Sequence, residues 1–262
     1  MLAVLFDHKK IGKPFVTIII AGSCLLVSVP TFFFPQLYRV FGGLKPLNFF
    51  WQKYSLSFQH GFDGFPLILH LGGNLLLLCY CGVFSEKILG AARFLLLTVA
   101  AMLVFAGVHS LPWLEGHGSS GIIWAYSPIV FTTLIIYRKS LPVIAESDSV
   151  FQRGIMILII MWGVITILMT ILPYLVGGKG NLFIALILGN IFHAAAVAIG
   201  FLFSFLWRNV ILNKFHKLAV NHDLSVFQHT FIDKLAIALS LLIPVNLLVI
   251  LILVAVGKIA VK

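Results

Sequence analysis

Charge is scarce in this chain. Aspartate and glutamate together number 8 in 262 residues, and 10% of positions are charged against 61% hydrophobic. A soluble globular domain carries about a quarter charged residues, so most of this surface is not built to meet water. Cysteine is nearly missing: Cys24, Cys79 and Cys81 all fall in apolar runs. No Cys-x-x-Cys pair and no Cys/His metal spacing occurs, which argues against a disulfide framework and a zinc centre. His-Glu-x-x-His is also missing, so that type of metalloprotease is excluded. The apolar runs hold no acidic residue for ion coupling, and no internal repeat is visible, which argues against a transporter. Neither metal nor cofactor is expected. The net charge of +10 comes from lysines and arginines lying between the apolar runs. That distribution reads as membrane topology rather than a nucleic-acid footprint, so no nucleic-acid partner is expected.

What the chain has is apolar length, with a mean hydropathy of +1.10. A helix needs about 20 apolar residues to cross the hydrocarbon core. Seven stretches come close: Phe15–Phe34, Leu67–Phe84, Phe94–Val108, Gly121–Tyr137, Gly154–Val176, Leu182–Trp207 and Leu235–Val256. The fold class is therefore an all-α integral membrane protein in contact with the lipid bilayer. The basic Met1–Lys13 stretch lacks a clean cleavage site, so the first run reads as an uncleaved span. With the N-terminus in the cytoplasm, twelve lysines and arginines lie inside and six outside, which favours N-in, C-out. The first outer loop, Pro35–Pro66, is dense in aromatics, and these suit the membrane interface. Four segments follow: a cytoplasmic stretch 1–14, a six-span core 15–207, a cytoplasmic linker 208–234 and a further span in 235–262.

Polar residues inside the apolar runs fall in three groups. His70 and Asn74 stand four apart and share a helix face. Gly118, Ser119, Ser120 and Gly121 open the fourth run. Asn190 and His193 stand three apart, followed by small residues from Ala194 to Ala196 and by Gly200. Serine with histidine suggests nucleophilic catalysis, in which the imidazole takes the hydroxyl proton as serine attacks a carbonyl. His70, Asn74 and the Ser120 main-chain N–H are suitable donors for an oxyanion. No acid lies in any group, so the pattern supports a dyad and not a triad. Each group alone also fits a blander role: histidine and asparagine as interhelical hydrogen-bonding groups, Gly-x-Ser-Gly as a packing turn.

In order and spacing, these groups resemble the rhomboid family of intramembrane serine proteases. The resemblance runs from about Trp51 to Trp207. It rests on His70, Asn74, Gly82, Glu86 and Gly90; on Gly118, Ser120 and Gly121; on His193 and Gly200; and on Gln152-Arg153-Gly154. It implies Ser120 as nucleophile, His193 as general base, and His70 and Asn74 lining an oxyanion hole. Gly118, Gly121, Trp124 and Asn190 would support the site or line the substrate. It implies a six-helix core with an added seventh span (6+1) and an endopeptidase cutting in or near transmembrane segments of other membrane proteins. The expected setting is a bacterial cytoplasmic (inner) membrane, with the site open to the outer face. A non-catalytic rhomboid-like binder or chaperone, or a small transporter, stays as an alternative.

The chain departs from the family pattern in four places. Gln52 follows Trp51 where the family often has arginine. His60-Gly61-Phe62-Asp63-Gly64 reads as added length before His70. Trp124 stands where a tyrosine usually stacks on the catalytic histidine. The stretch from Gly154 to His193 is long, and Val176-Gly177-Gly178-Lys179-Gly180 would form a flexible cap. Depth also constrains the site, because a straight helix from Leu182 puts His193 about 16 Å down. Ser120 meets it only if the chain before Ser120 dips into the bundle, or if Leu182–Leu188 is a separate segment.

Overall fold

The computed structural model describes residues 12–42, 49–60, 64–110, 119–137, 182–221 and 224–259, with scattered helical positions between 153 and 167. The described residues hold helices and no strand. In chain order, α1 is Phe15–Phe33, α2 Leu37–Val40 and α3 Gln52–Ser55. Next come α4 (Gly64–Leu77) and α5 (Val83–Leu89), joined by a π-helical turn, Leu78–Gly82. They are followed by α6 (Ala91–His109), α7 (Ser120–Ile123) and α8 (Ser127–Phe131), the last running into a second π turn, Thr132–Ile136. The chain closes with α9 (Leu182–Leu206), α10 (Arg208–Asn221), α11 (Phe231–Ser240) and α12 (Leu242–Ala255).

Four helices among the described residues are long and apolar enough to cross a membrane: Phe15–Phe33, Ile68–Leu89, Ala91–His109 and Leu224–Ala255. A fifth is possible if the pair Asn190–Leu206 and Arg208–Lys217, bent by 59°, counts as one span. Their outer faces are as apolar as their inner ones. On α1, Val16, Ile20, Cys24 and Val27 are buried, while Ile18, Leu25, Val29 and Phe33 are exposed. A helix hydrophobic all round belongs in lipid or in a large core. The run Gly121–Tyr137 is a broken helix instead of a straight one, and Pro128 opens its second piece. Most of Gly154–Val176 lies outside the described residues.

Helix ends buried at one end of the bundle are satisfied by the few charged groups there. The Glu86 carboxylate accepts the Val16 N–H at 3.1 Å, the Thr17 N–H at 2.8 Å and the Thr17 hydroxyl at 2.7 Å. These are donors of the first turn of α1, which has no intrahelical partners for them. Glu86 is thus a helix cap buried within a span. Asp233 serves two helices: one oxygen accepts the Ala92 N–H at the start of α6, the other the Thr230 N–H and hydroxyl before α11. Gly90, the sole residue between α5 and α6, adopts φ +83°. A Cβ there would lie 2.9 Å from the Asp233 carboxylate, so the turn needs glycine on both counts. Lys214 donates to the Lys87 carbonyl at the end of α5, and His229 contacts the Lys13 carbonyl. Lys13, Lys87 and Lys214, all assigned inside from charge bias, therefore share one end.

The segment 208–234 is more than a linker. It is largely helical, and Ile211, Phe215 and Phe227 are buried in the main core. Within the last span, α11 begins at Phe231, four residues before the hydropathy edge, because the Thr230–Asp233 capping box starts the helix there. It packs on α6 and α1. We expect Asp233→Ala to cost about 1–2 kcal/mol and Asp233→Asn less, read as a lowered melting temperature in detergent micelles.

Candidate functional site

Ser120 opens α7, a single helical turn. Its hydroxyl lies 3.0 Å from Nε2 of His193, on α9, a continuous helix from Leu182 to Leu206. Leu182–Leu188 is thus no separate segment, and Ser120 meets a histidine about 16 Å along α9. The residues before Ser119, Gly118 included, lie outside the described ones, as does the Val176–Gly180 stretch.

The other His193 nitrogen, Nδ1, is 3.4 Å from Asn190 Oδ1, one turn earlier on the same helix. An amide oxygen only accepts, so in the tautomer with the proton on Nδ1 the ring donates to Asn190 and its Nε2 lone pair faces Ser120. Asn190 therefore stands where an orienting group belongs. Trp124 meets the His193 ring edge-on, with centroids 6.1 Å apart and planes at 60°. It packs against the imidazole without stacking on it.

Two close approaches build this site, Gly121 seating α7 against α6 and Gly200 seating α9 against the Ala125–Pro128 stretch. A Cβ on Gly121 would come within 2.6 Å of the Phe105 ring, and one on Gly200 would run into the Ala125 carbonyl and the Pro128 ring. Farther along the same seam the Thr132 and Ser204 hydroxyls are hydrogen-bonded, and the Tyr137 hydroxyl donates to the Ser204 carbonyl. These bonds tie the π turn after α8 to the helix carrying His193.

His70 and Asn74 share a face of α4, which packs on α7. His70 lies within electrostatic range of His193. Asn74 is fully buried, and neither atom of its amide has a hydrogen-bond partner among the described residues. No three His, Cys, Asp or Glu side chains among the described residues cluster as a metal site. No protein-family model matches this chain, and no curated protein does.

Two residues matter more here than the sequence suggested. Gln52 is buried and ties together the loop after α1: its amide oxygen accepts the Phe49 N–H at 2.8 Å, and its amide nitrogen donates to the Arg39 carbonyl at 2.7 Å. Trp51 stacks on Phe49 at 4.3 Å and donates to the Val40 carbonyl. His60, read as part of an added loop, is buried beside Ser119 and touches His70 edge-on at 5.1 Å. Its only local signal was a histidine ten positions before His70.

Gly200→Ala should push α8 away from α9. The expected cost is about 1–3 kcal/mol from overpacking, seen as a lower melting temperature, whereas the neighbouring exposed Ala198→Gly should cost no more than about 1 kcal/mol.

Proposed function

We propose that this chain is a rhomboid-type intramembrane serine endopeptidase that cuts peptide bonds in or near the transmembrane segments of other membrane proteins. The observation that carries this reading is the 3.0 Å contact between Ser120 Oγ and His193 Nε2, made by two residues 73 apart in the chain. Polar and ionisable side chains are expensive in lipid, and where they meet they are usually functional. The resemblance described above adds the order of the motifs.

On this reading Ser120 Oγ attacks the substrate carbonyl carbon while its proton passes to His193 Nε2. Asn190 accepts from Nδ1–H and keeps the imidazole in the tautomer that can take it. The negative charge on the former carbonyl oxygen is met by donors of the oxyanion hole, for which His70, the Asn74 amide and the Ser120 main-chain N–H are the candidates. The Asn74 amide suits this, since its N–H donors have no acceptor among the described residues and an oxyanion would supply one. Collapse of the tetrahedral intermediate breaks the C–N bond, and His193 returns its proton to the leaving amine. Water, deprotonated by His193, then hydrolyses the acyl-enzyme. A helical substrate hides its carbonyls, so single-span partners with glycine, proline or other poor helix formers near the cut should be preferred.

The same reading gives the finer architecture. The core is a six-span bundle with the helix from Phe231 onward as a seventh. It sits in a bacterial cytoplasmic membrane, N-terminus in, with Ser120 reached from the outer side.

The test is labelling of the purified protein with a fluorophosphonate probe, which reacts with base-activated serines. Ser120→Ala should abolish labelling, and His193→Ala should slow it by at least about 10³-fold, with both variants folded. A folded wild type that does not label, or a Ser120→Ala protein that labels as fast as wild type, would sink the proposal.

A further inference from the structure

Two adjacent serines each face a histidine. Ser120 faces His193, and the Ser119 hydroxyl is 2.8 Å from His60 Nε2. The second pair mimics a dyad, yet its surroundings are different. Ser119 and His60 are 1% and 2% exposed, so no substrate carbonyl reaches them. The Ser119 main-chain N–H also donates to the same Nε2, at 3.3 Å. That nitrogen is therefore an acceptor already engaged by its own serine's backbone, and the ring proton must sit on Nδ1. There it meets the Phe58 carbonyl at 3.0 Å and the Ser28 hydroxyl at 3.0 Å, while Ser28 itself donates to Phe58. The His60 main-chain N–H is held by the Gln59 side-chain oxygen, and the His60 ring meets the His70 ring edge-on at 5.1 Å.

These contacts join three elements. Ser28 belongs to α1, His60 to the loop after α1, and Ser119 is the residue before α7. The Ser119 carbonyl in turn accepts the Ile122 and Ile123 N–H groups, so its N–H, hydroxyl and carbonyl are all engaged. The next residue is Ser120.

We propose that His60 is a positioning residue. Neutral and protonated on Nδ1, it clamps the Ser119 main chain and hydroxyl to α1, which sets the Ser119–Ser120 turn, and its ring braces the His70 ring. Its consequence for catalysis rests on the protease reading above; the clamp itself does not. Loss of the clamp lets the nucleophile and its oxyanion donors drift, and displacements of about 1 Å can cost 10²-fold in rate.

The experiment uses the purified full-length chain in detergent micelles, with His60→Ala, His60→Gln, Ser119→Ala and the His60→Ala/Ser119→Ala double variant. Two readouts are taken: amide hydrogen exchange over Ser119–Ile123, and the second-order rate of fluorophosphonate labelling. Exchange should rise by about tenfold or more in His60→Ala. Labelling should slow by roughly 10- to 100-fold in His60→Ala, by less in Ser119→Ala, and be partly restored in His60→Gln, whose amide can both donate and accept. The double variant should label within about twofold of His60→Ala, because both changes cut one link. A merely structural role would lower stability without that non-additivity. Unchanged exchange in a folded His60→Ala protein overturns the clamp, as do fully additive losses. Where His60→Ala does not fold, exchange in Ser119→Ala decides: unchanged exchange and wild-type labelling overturn it. A wild type that does not label removes the protease reading, and exchange alone then decides the clamp.

Discussion

A polar group moved from water into hydrocarbon must find another polar group or pay in free energy. Every feature of this fold follows from that constraint. For the main chain the answer is the helix, which pairs its own N–H and C=O groups except at its ends. Those ends decide the architecture. Glu86 closes the start of α1, Asp233 closes the starts of α6 and α11, and Lys214 closes the end of α5. Charged residues in the described body are few, and these three sit where helix termini leave donors or acceptors unmet and where the helix dipole favours their sign.

Because these caps gather at one end, they fix α1, α5, α6, α10 and α11 relative to one another. The other end can then carry a less regular arrangement, in which a one-turn helix and the loop residue Leu56 meet the long α9. Tyr126 connects the two regions. It is fully buried between them, its hydroxyl against Thr98 and its ring against Phe94, and its carbonyl accepts from Ser85. Ser120 is therefore held by a short element braced twice, by the Tyr126 packing and by the His60 contact to Ser119.

Hydropathy made the long helices legible, since a run such as Phe15–Phe34 has no other stable form in lipid, and the observed helix ends one residue earlier. Charge bias likewise placed Lys13, Lys87 and Lys214 together. The spacing of His70 with Asn74 and of Asn190 with His193 told which residues share a face, and small residues marked Gly121 and Gly200 as approach points. What could not be read were partnerships across long separations. Nothing near Asp233 in the chain points to Ala92, 141 positions away. His60 looked like loop because it has no periodic apolar neighbours; its burial comes from Ser28 and Ser119, 32 and 59 positions away. The break at Trp124–Tyr126 escaped for a related reason, since an apolar run says how far a helix can extend but not where tertiary contacts interrupt it.

The two kinds of polar residue around Ser120 differ in whether their partners are present. The Ser28–His60–Ser119 chain is saturated: each ring nitrogen of His60 has a partner, and the Ser119 main chain is held on both sides. Such a network costs little once formed and resists rearrangement, which suits a support. Asn74 is the opposite case. Its amide is fully buried with neither atom paired among the described residues, a burden of about 1–3 kcal/mol for each group left unmet. A packed bundle could shed that burden by placing leucine there. An amide retained at such cost makes physical sense where an acceptor arrives with a ligand, and on the reading proposed here that acceptor is the oxygen that becomes negatively charged as Ser120 attacks. The saturated network then holds the reacting atoms still, and the unsaturated amide supplies the interaction that grows along the reaction coordinate. Only the second kind lowers a barrier directly, because stabilisation counts toward rate when it is stronger in the transition state than before it.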